Sequence, residues 1–159
     1  MKPHPLVLDD ATSIDALLRA VQRIAVLGIK TEAQSAQPAF YVPQWLAEAD
    51  FDVVPVPVYY PDVTTILGRP VHRRLVDVPG TIDLVDVFRR PQDLESHEAD
   101  ILAAKPKAVW LQQGIRHDAF AERLAEAGIR VVQDRCLMVD LRARGLRGQG
   151  GQGAPSGRV

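Results

Sequence analysis

The residues best suited to chemistry in this chain stand at the ends of short apolar runs. The first run, Arg23-Ile24-Ala25-Val26-Leu27, closes on Gly28-Ile29-Lys30-Thr31. A glycine lets the backbone turn sharply and approach a ligand closely. Lys30 adds a cation at the same mouth. The loop then passes Ser35 to reach Pro38, where a helix N-terminus can turn its free N–H groups toward a phosphate. These features fit a phosphate-binding loop, and they also fit an ordinary strand-to-helix turn. The G-x-G-x-x-G and Walker A patterns are both absent, which leaves NAD binding and ATP hydrolysis poorly supported.

A second run ends Val87-Phe88-Arg89-Arg90-Pro91. Arginines at the end of a strand can fork onto phosphate oxygens. Phe88 offers a surface for a ring or an apolar arm. The competing reading is a solvated pair of charges at a loop start. A third run ends Trp110-Leu111-Gln112-Gln113-Gly114-Ile115. Gln112 or Gln113 supplies neutral donors and acceptors, Gly114 permits another close backbone approach, and Trp110, inside the run, is expected in the core. In Gln133-Asp134-Arg135-Cys136, an Asp134–Arg135 ion pair is expected to cap the last helix. A thiol near a helix start can have a lowered pKa, but a lone cysteine is more often a small buried hydrophobe.

Other chemistries lack their residues. The four histidines are scattered without metal-ligand spacing, and no serine sits in G-x-S-x-G. Asp83 and Asp86 stand three apart on one strand, hence on opposite faces, and cannot act as a carboxylate pair. The inventory is that of a binder rather than of a general acid–base catalyst.

The elements that position these residues follow from periodicity. Helices are expected over 14–22 (capped by Thr12 or Ser13), 41–49 (with Pro43 in its first turn), 93–104, 118–127 and 137–144. Strands are expected over 23–28, 51–56, 82–88, 108–112 and 129–132. Residues 59–70 read as a long connection with at most one helical turn, and 75–79 as another turn. Strands alternating with helices predict an α/β fold: a Rossmann-like, doubly wound, parallel five-stranded sheet in three layers. Ligands of such sheets bind beyond the carboxyl ends of the strands, where strand order reverses. The expected organisation is a loose N-terminal arm (1–11), one domain (12–144) and a disordered Gly-rich tail (145–159).

The chain has 159 residues, enough for one self-supporting core, and a formal net charge of −1. That balance gives no case for nucleic acid or a membrane surface. One cysteine and the absence of a signal peptide or a long apolar span suit a reducing, cytoplasmic setting. A homodimer is left open.

Several segments together resemble a known family. They are Ile24–Gly28, Pro38–Val42, Phe51–Val56, Ile66–Gly68, Leu75–Pro79, Val85–Arg90, Val109–Ile115 and Ala127–Cys136, in that order over residues 23–142. The chain resembles the stand-alone CoA-binding domain proteins, which are similar to the N-terminal domain of the succinyl-CoA synthetase alpha subunit. The resemblance implies a coenzyme A or acyl-CoA site at the strand ends. The first loop (Gly28, Ile29, Lys30) would face phosphates, with contacts from Val56 and Pro57 and from the Phe88-Arg89 corner. It implies no catalysis, because stand-alone members lack the partner domains and the phosphohistidine segment.

Three departures bear on affinity. Pro57 stands where the family carries a polar residue, often followed by a lysine. Gln37 replaces a basic residue before Pro38, and the first loop is about two residues longer. Each lost charge-assisted contact costs about 1.5–3 kcal/mol, for which Lys30, Arg69 or Arg89 can compensate. Two further readings stay open: an enzyme acting on a CoA thioester or another nucleotide, with Cys136 or a partner chain supplying the chemistry, and an interaction module whose nucleotide site has decayed.

Overall fold

The computed structural model describes residues 2–149. Residues 150–159 of the expected disordered tail lie outside the described residues. Five parallel strands form the sheet: β1 (Arg23–Leu27), β2 (Asp52–Val56), β5 (Leu84–Val87), β6 (Ala108–Leu111) and β7 (Arg130–Val132). Their order is β2-β1-β5-β6-β7. The chain runs outward from β1 to β2, then returns past β1 to β5 and continues to β6 and β7. The reversal therefore falls between β1 and β5. This is the doubly wound α/β fold expected from the alternation of elements.

Alternate residues of each strand enter different cores, as the period of two requires. Ile24, Val26, Leu84, Trp110 and Val132 face α1 (Ala11–Arg19), α2 (Pro38–Glu48) and α5 (Leu137–Ala143). Ala25, Leu27, Val85, Val87, Val109 and Val131 face α3 (Glu98–Ala104) and α4 (Asp118–Glu126). Each fully buried aliphatic or aromatic side chain contributes about 1.5–3 kcal/mol, so this two-sided burial fixes the sheet. Trp110 is fully buried, as expected, and its indole N–H donates to the Arg135 carbonyl at 2.7 Å.

Local chemistry moves several boundaries. The first helix starts at Ala11 because Asp10, not Thr12 or Ser13, is its cap and accepts the Ser13 amide. α2 starts at Pro38, so Pro43 lies inside the helix rather than in its first turn. The segment expected as one helix over 93–104 is a 3-10 stretch, Pro91–His97, followed by α3. The connection over 59–70 contains no helical turn. It holds a hairpin of β3 (Thr65–Ile66) and β4 (Arg69–Pro70), with Leu67 and Gly68 both at positive φ, the requirement of a two-residue type I′ turn.

Both outer strands are covered. The arm expected to be loose pairs with β7: Val131 N–H donates to the Leu6 carbonyl, and Leu8 N–H to the Val131 carbonyl. On the other edge, the Arg69 guanidinium reaches the Val53 carbonyl and His72 N–H reaches the Pro55 carbonyl. Such covers remove a template for edge pairing. Among the described residues no helix is long and apolar enough to cross a membrane.

Candidate functional site

A cleft of about 490 Å³ opens beyond the carboxyl ends of β1, β5 and β6. That size is within the usual range for small-molecule sites, roughly 300–1,000 Å³. It gathers Lys30, Pro38, Phe88, Arg89, Arg90, Gln112 and Gly114 from the residues singled out in the sequence. Gln37, Tyr41 and Cys136 also line it. The remaining sequence candidates lie elsewhere. Ile29, Val56 and Pro57 are buried, and Ser35 is exposed at the end of a 3-10 turn.

Gly28 does not itself line the cleft but packs beside Phe88 and Arg89, which do, with φ +87°, a conformation that disfavours any side chain. A Cβ there would lie 2.4 Å from the Phe88 carbonyl oxygen and 3.2 Å from Arg89 Cδ. The glycine thus lets the chain leaving β1 lie against the Phe88 backbone at the end of its parallel neighbour β5 and makes room for the Arg89 stem. Its N–H is not free, because it donates to the Val56 carbonyl at 2.9 Å. The Lys30 N–H is also engaged, on the Ala39 carbonyl. The first loop therefore offers an anion the Lys30 ammonium, which makes no ion pair among the described residues. At the start of α2, Pro38 has no N–H. Phe40 and Tyr41 donate to the Gln37 carbonyl, and the Ala39 N–H has no acceptor among the described residues. Gln37 caps the helix through its backbone only, so its side chain makes no capping bond.

The two arginines after β5 differ. Arg89 is held on several sides, its side chain only 14% exposed. Its Nε–H donates to His97 Nε2 at 3.1 Å and Nη1 donates to the Tyr59 hydroxyl at 3.3 Å. The guanidinium lies 5.5 Å from the centre of the Tyr59 ring, within cation–π reach. Asp93 stands 3.8 Å from Nη2. Arg90 is mostly solvated and pairs with Asp93 at 2.8 Å. These contacts leave marks on the titrating groups. Burial first, and the Arg89 charge second, push His97 below the ordinary imidazole range. The Arg89 hydrogen bond lowers the Tyr59 hydroxyl, and the Arg90 hydrogen bond lowers the Asp93 carboxyl. No local sequence signal marks His97 or Tyr59 as partners of Arg89, since they lie 8 and 30 residues away.

On the third wall, Gln112 is buried and its Oε1 accepts the Leu137 amide at 3.1 Å. Gly114 N–H donates to Asp134 at 2.7 Å. The expected Asp134–Arg135 pair is not formed, because Arg135 turns to Asp140 at 2.7 Å, and Arg144 joins the same carboxylate at 3.0 Å. Arg69 does not reach the cleft either; it pairs with Asp52 at 2.7 Å on the edge of the sheet.

Asp86 breaks the apolar pattern of the sheet. It lies in register between Val26 and Trp110 and is fully buried. Neither carboxyl oxygen has a partner among the described residues. Burial alone drives its pKa well above the ordinary carboxylate range. Asp83 lies outside that core, accepts the Gln22 and Arg23 amides and pairs with Lys107.

Known proteins share this architecture. A curated relative, the uncharacterized protein YneT of Bacillus subtilis, is 29% identical over 126 residues, covering 79% of this chain and 90% of the relative. A solved structure from Thermus thermophilus, cell-free ID.343, is 39% identical, with a TM-score of 0.77 over 85% of this chain and 98% of that one. The dinucleotide-forming acetyl-coenzyme A synthetase 1 of Ca. Korarchaeum cryptofilum shares the fold at 16% identity and a TM-score of 0.60. This match covers 72% of this chain and 26% of the synthetase. The model of the CoA binding domain matches residues 22–142, from the turn before β1 to the body of α5. With the strands, the switch point and the cleft all inside that match, the chain belongs to the CoA binding domain family.

Proposed function

We propose that the cleft binds coenzyme A or an acyl-CoA without catalysing a reaction on it. The observation that carries this reading is the meeting of Lys30 and Arg89 at the point where strand order reverses. CoA is a polyanion at its nucleotide end and a neutral amide-bearing arm at the other. The Lys30 ammonium, the Arg89 guanidinium and the free Ala39 N–H are the groups that would meet its phosphates. Phe88 and the Gln112 and Gln113 amides suit the neutral arm. The residues present thus fit the group in charge and in polarity, although Pro57 and Gln37 supply no charge.

Calorimetry of the full chain with CoA, acetyl-CoA, NAD and ATP tests this. The expected result is binding of both CoA species, weakened in Lys30→Ala and Arg89→Ala, with acetyl-CoA recovered unchanged. Absence of binding by either CoA species would overturn it. Cys136 on the cleft wall motivates a second reading, acyl transfer from a bound thioester to its thiol. Acetyl-CoA consumption that disappears in Cys136→Ala would favour that reading.

A further inference from the structure

We infer that His97, which does not line the cleft, is a positioning residue for ligand binding: its neutral imidazole holds Arg89 in the orientation that an anionic ligand meets. The inference rests on the proposed CoA site and names a determinant of its affinity.

The geometry is specific. Arg89 Nε–H can only donate, so His97 Nε2 at 3.1 Å must accept and must carry no proton. His97 closes the 3-10 stretch that starts at Pro91, directly after the arginine pair, so a short segment returns the imidazole to its own strand end. Gly28 clears the space for the Arg89 stem on one side, and the Tyr59 ring and hydroxyl hold the guanidinium on another. His97 alone of these contacts changes its ability to accept with pH near neutrality.

Arg89 disfavours a proton on His97, while Asp93 on its own segment and Asp100 on α3 favour one. Asp93 is engaged by Arg90, and Asp100 accepts the Leu75 and Val76 amides. Burial and Arg89 prevail, so the imidazole stays neutral at neutral pH. Once protonated it cannot accept from Arg89, two cations are left side by side, and the arginine loses the contact that fixes its Nε–H, with Tyr59 and Asp93 left to hold it. An arginine held by fewer contacts must then be ordered by the ligand, at a cost in affinity.

The experiment is a thermodynamic cycle measured by calorimetry on the full chain, using His97→Ala, Arg89→Ala and the double variant, with His97→Gln as the conservative replacement. The 3′-phosphate of CoA itself titrates near neutrality, as phosphate monoesters do. The pH series therefore uses dephospho-CoA, which lacks that group. His97→Ala should weaken binding about ten-fold and should have no further effect in the Arg89→Ala background. His97→Gln, whose amide oxygen accepts at any pH, should restore binding. Wild-type affinity should fall as the pH drops below the ordinary histidine range, and His97→Gln should not show that fall. Additive effects of the two alanine variants, or the same acid limb in His97→Gln, would overturn the inference. If no CoA species binds the wild type, the proposed function fails, and the inference is then read in the ligand-free protein by NMR. An Arg89 Nε–H resonance that is lost as the His97 ring titrates supports the positioning role; an unaffected resonance overturns it.

Discussion

The amide of Lys30 donates to the carbonyl of Ala39 at 3.0 Å. Ala39 lies in α2, and its carbonyl would ordinarily accept from the residue four positions on, which is Pro43. Proline has no N–H. The helix therefore leaves one carbonyl free, and the loop after β1 occupies it. The consequence is functional as well as structural. The loop is fastened to the helix by its backbone, and its ammonium side chain is what remains for a ligand.

Gly28→Ala is expected to destabilise the fold and to weaken CoA binding together. The positive φ and the 2.4 Å approach to the Phe88 carbonyl make a cost of at least about 2 kcal/mol. Arg89 Cδ would also be pushed from its seat. Thermal unfolding and calorimetry on the same sample check both. Unchanged melting would show that the strands tolerate the extra carbon.

Asp86 gives a pH-dependent liability. Its folded pKa is raised by burial, so the folded chain holds its proton more tightly than the unfolded chain does. This group's contribution is fully favourable below the unfolded carboxyl pKa and is lost as pH rises toward the raised folded value. Asp86→Asn, which cannot ionise, should flatten that decline. Asp86→Val, which also removes the unpartnered oxygens, should stabilise the protein by about 1–3 kcal/mol at neutral pH. Urea denaturation of the three proteins at stepped pH measures the difference.

Asp140 carries the opposite sign. Burial raises its pKa, but the hydrogen bonds of Arg135 and Arg144 outweigh burial, and the net shift is downward. Its stabilisation is present above the unfolded carboxyl pKa and is lost as pH falls through the folded value. Asp140→Asn should cost about 2 kcal/mol at neutral pH, and the gap from wild type should close in acid. Denaturation curves at neutral and acidic pH give both quantities.

Gln37→Arg should tighten CoA binding by about ten-fold, because the side chain at this position lines the cleft and is not used as a cap. A cation at a helix N-terminus opposes the helix dipole, so a small loss of stability, about 0.5 kcal/mol, should accompany the gain. Calorimetry with CoA and thermal unfolding separate the two effects, and unchanged affinity would place the phosphates away from α2.

The alternation of buried runs and amphipathic stretches determined the sheet, its two covered faces and the end of the strands at which a cleft forms, because burial of periodic apolar residues dominates those choices. Trp110 in the core and Asp83 opposite Asp86 follow from the same period of two. The tertiary structure decided which polar groups remain free. Residues distant in sequence compete for the same partner, and the winner depends on reach and angle. Thus Asp140 rather than Asp134 takes Arg135, Asp52 takes Arg69 away from the cleft, and Ala39 takes the Lys30 amide. The Leu67-Gly68 hairpin was hidden for a related reason, since a leucine at positive φ carries no turn signal of its own and is held there by its neighbours, among them Glu32, which accepts the Leu67 amide at 2.8 Å. The seat of Arg89 on His97 and Tyr59 likewise exists only once two separate segments have folded onto its strand end.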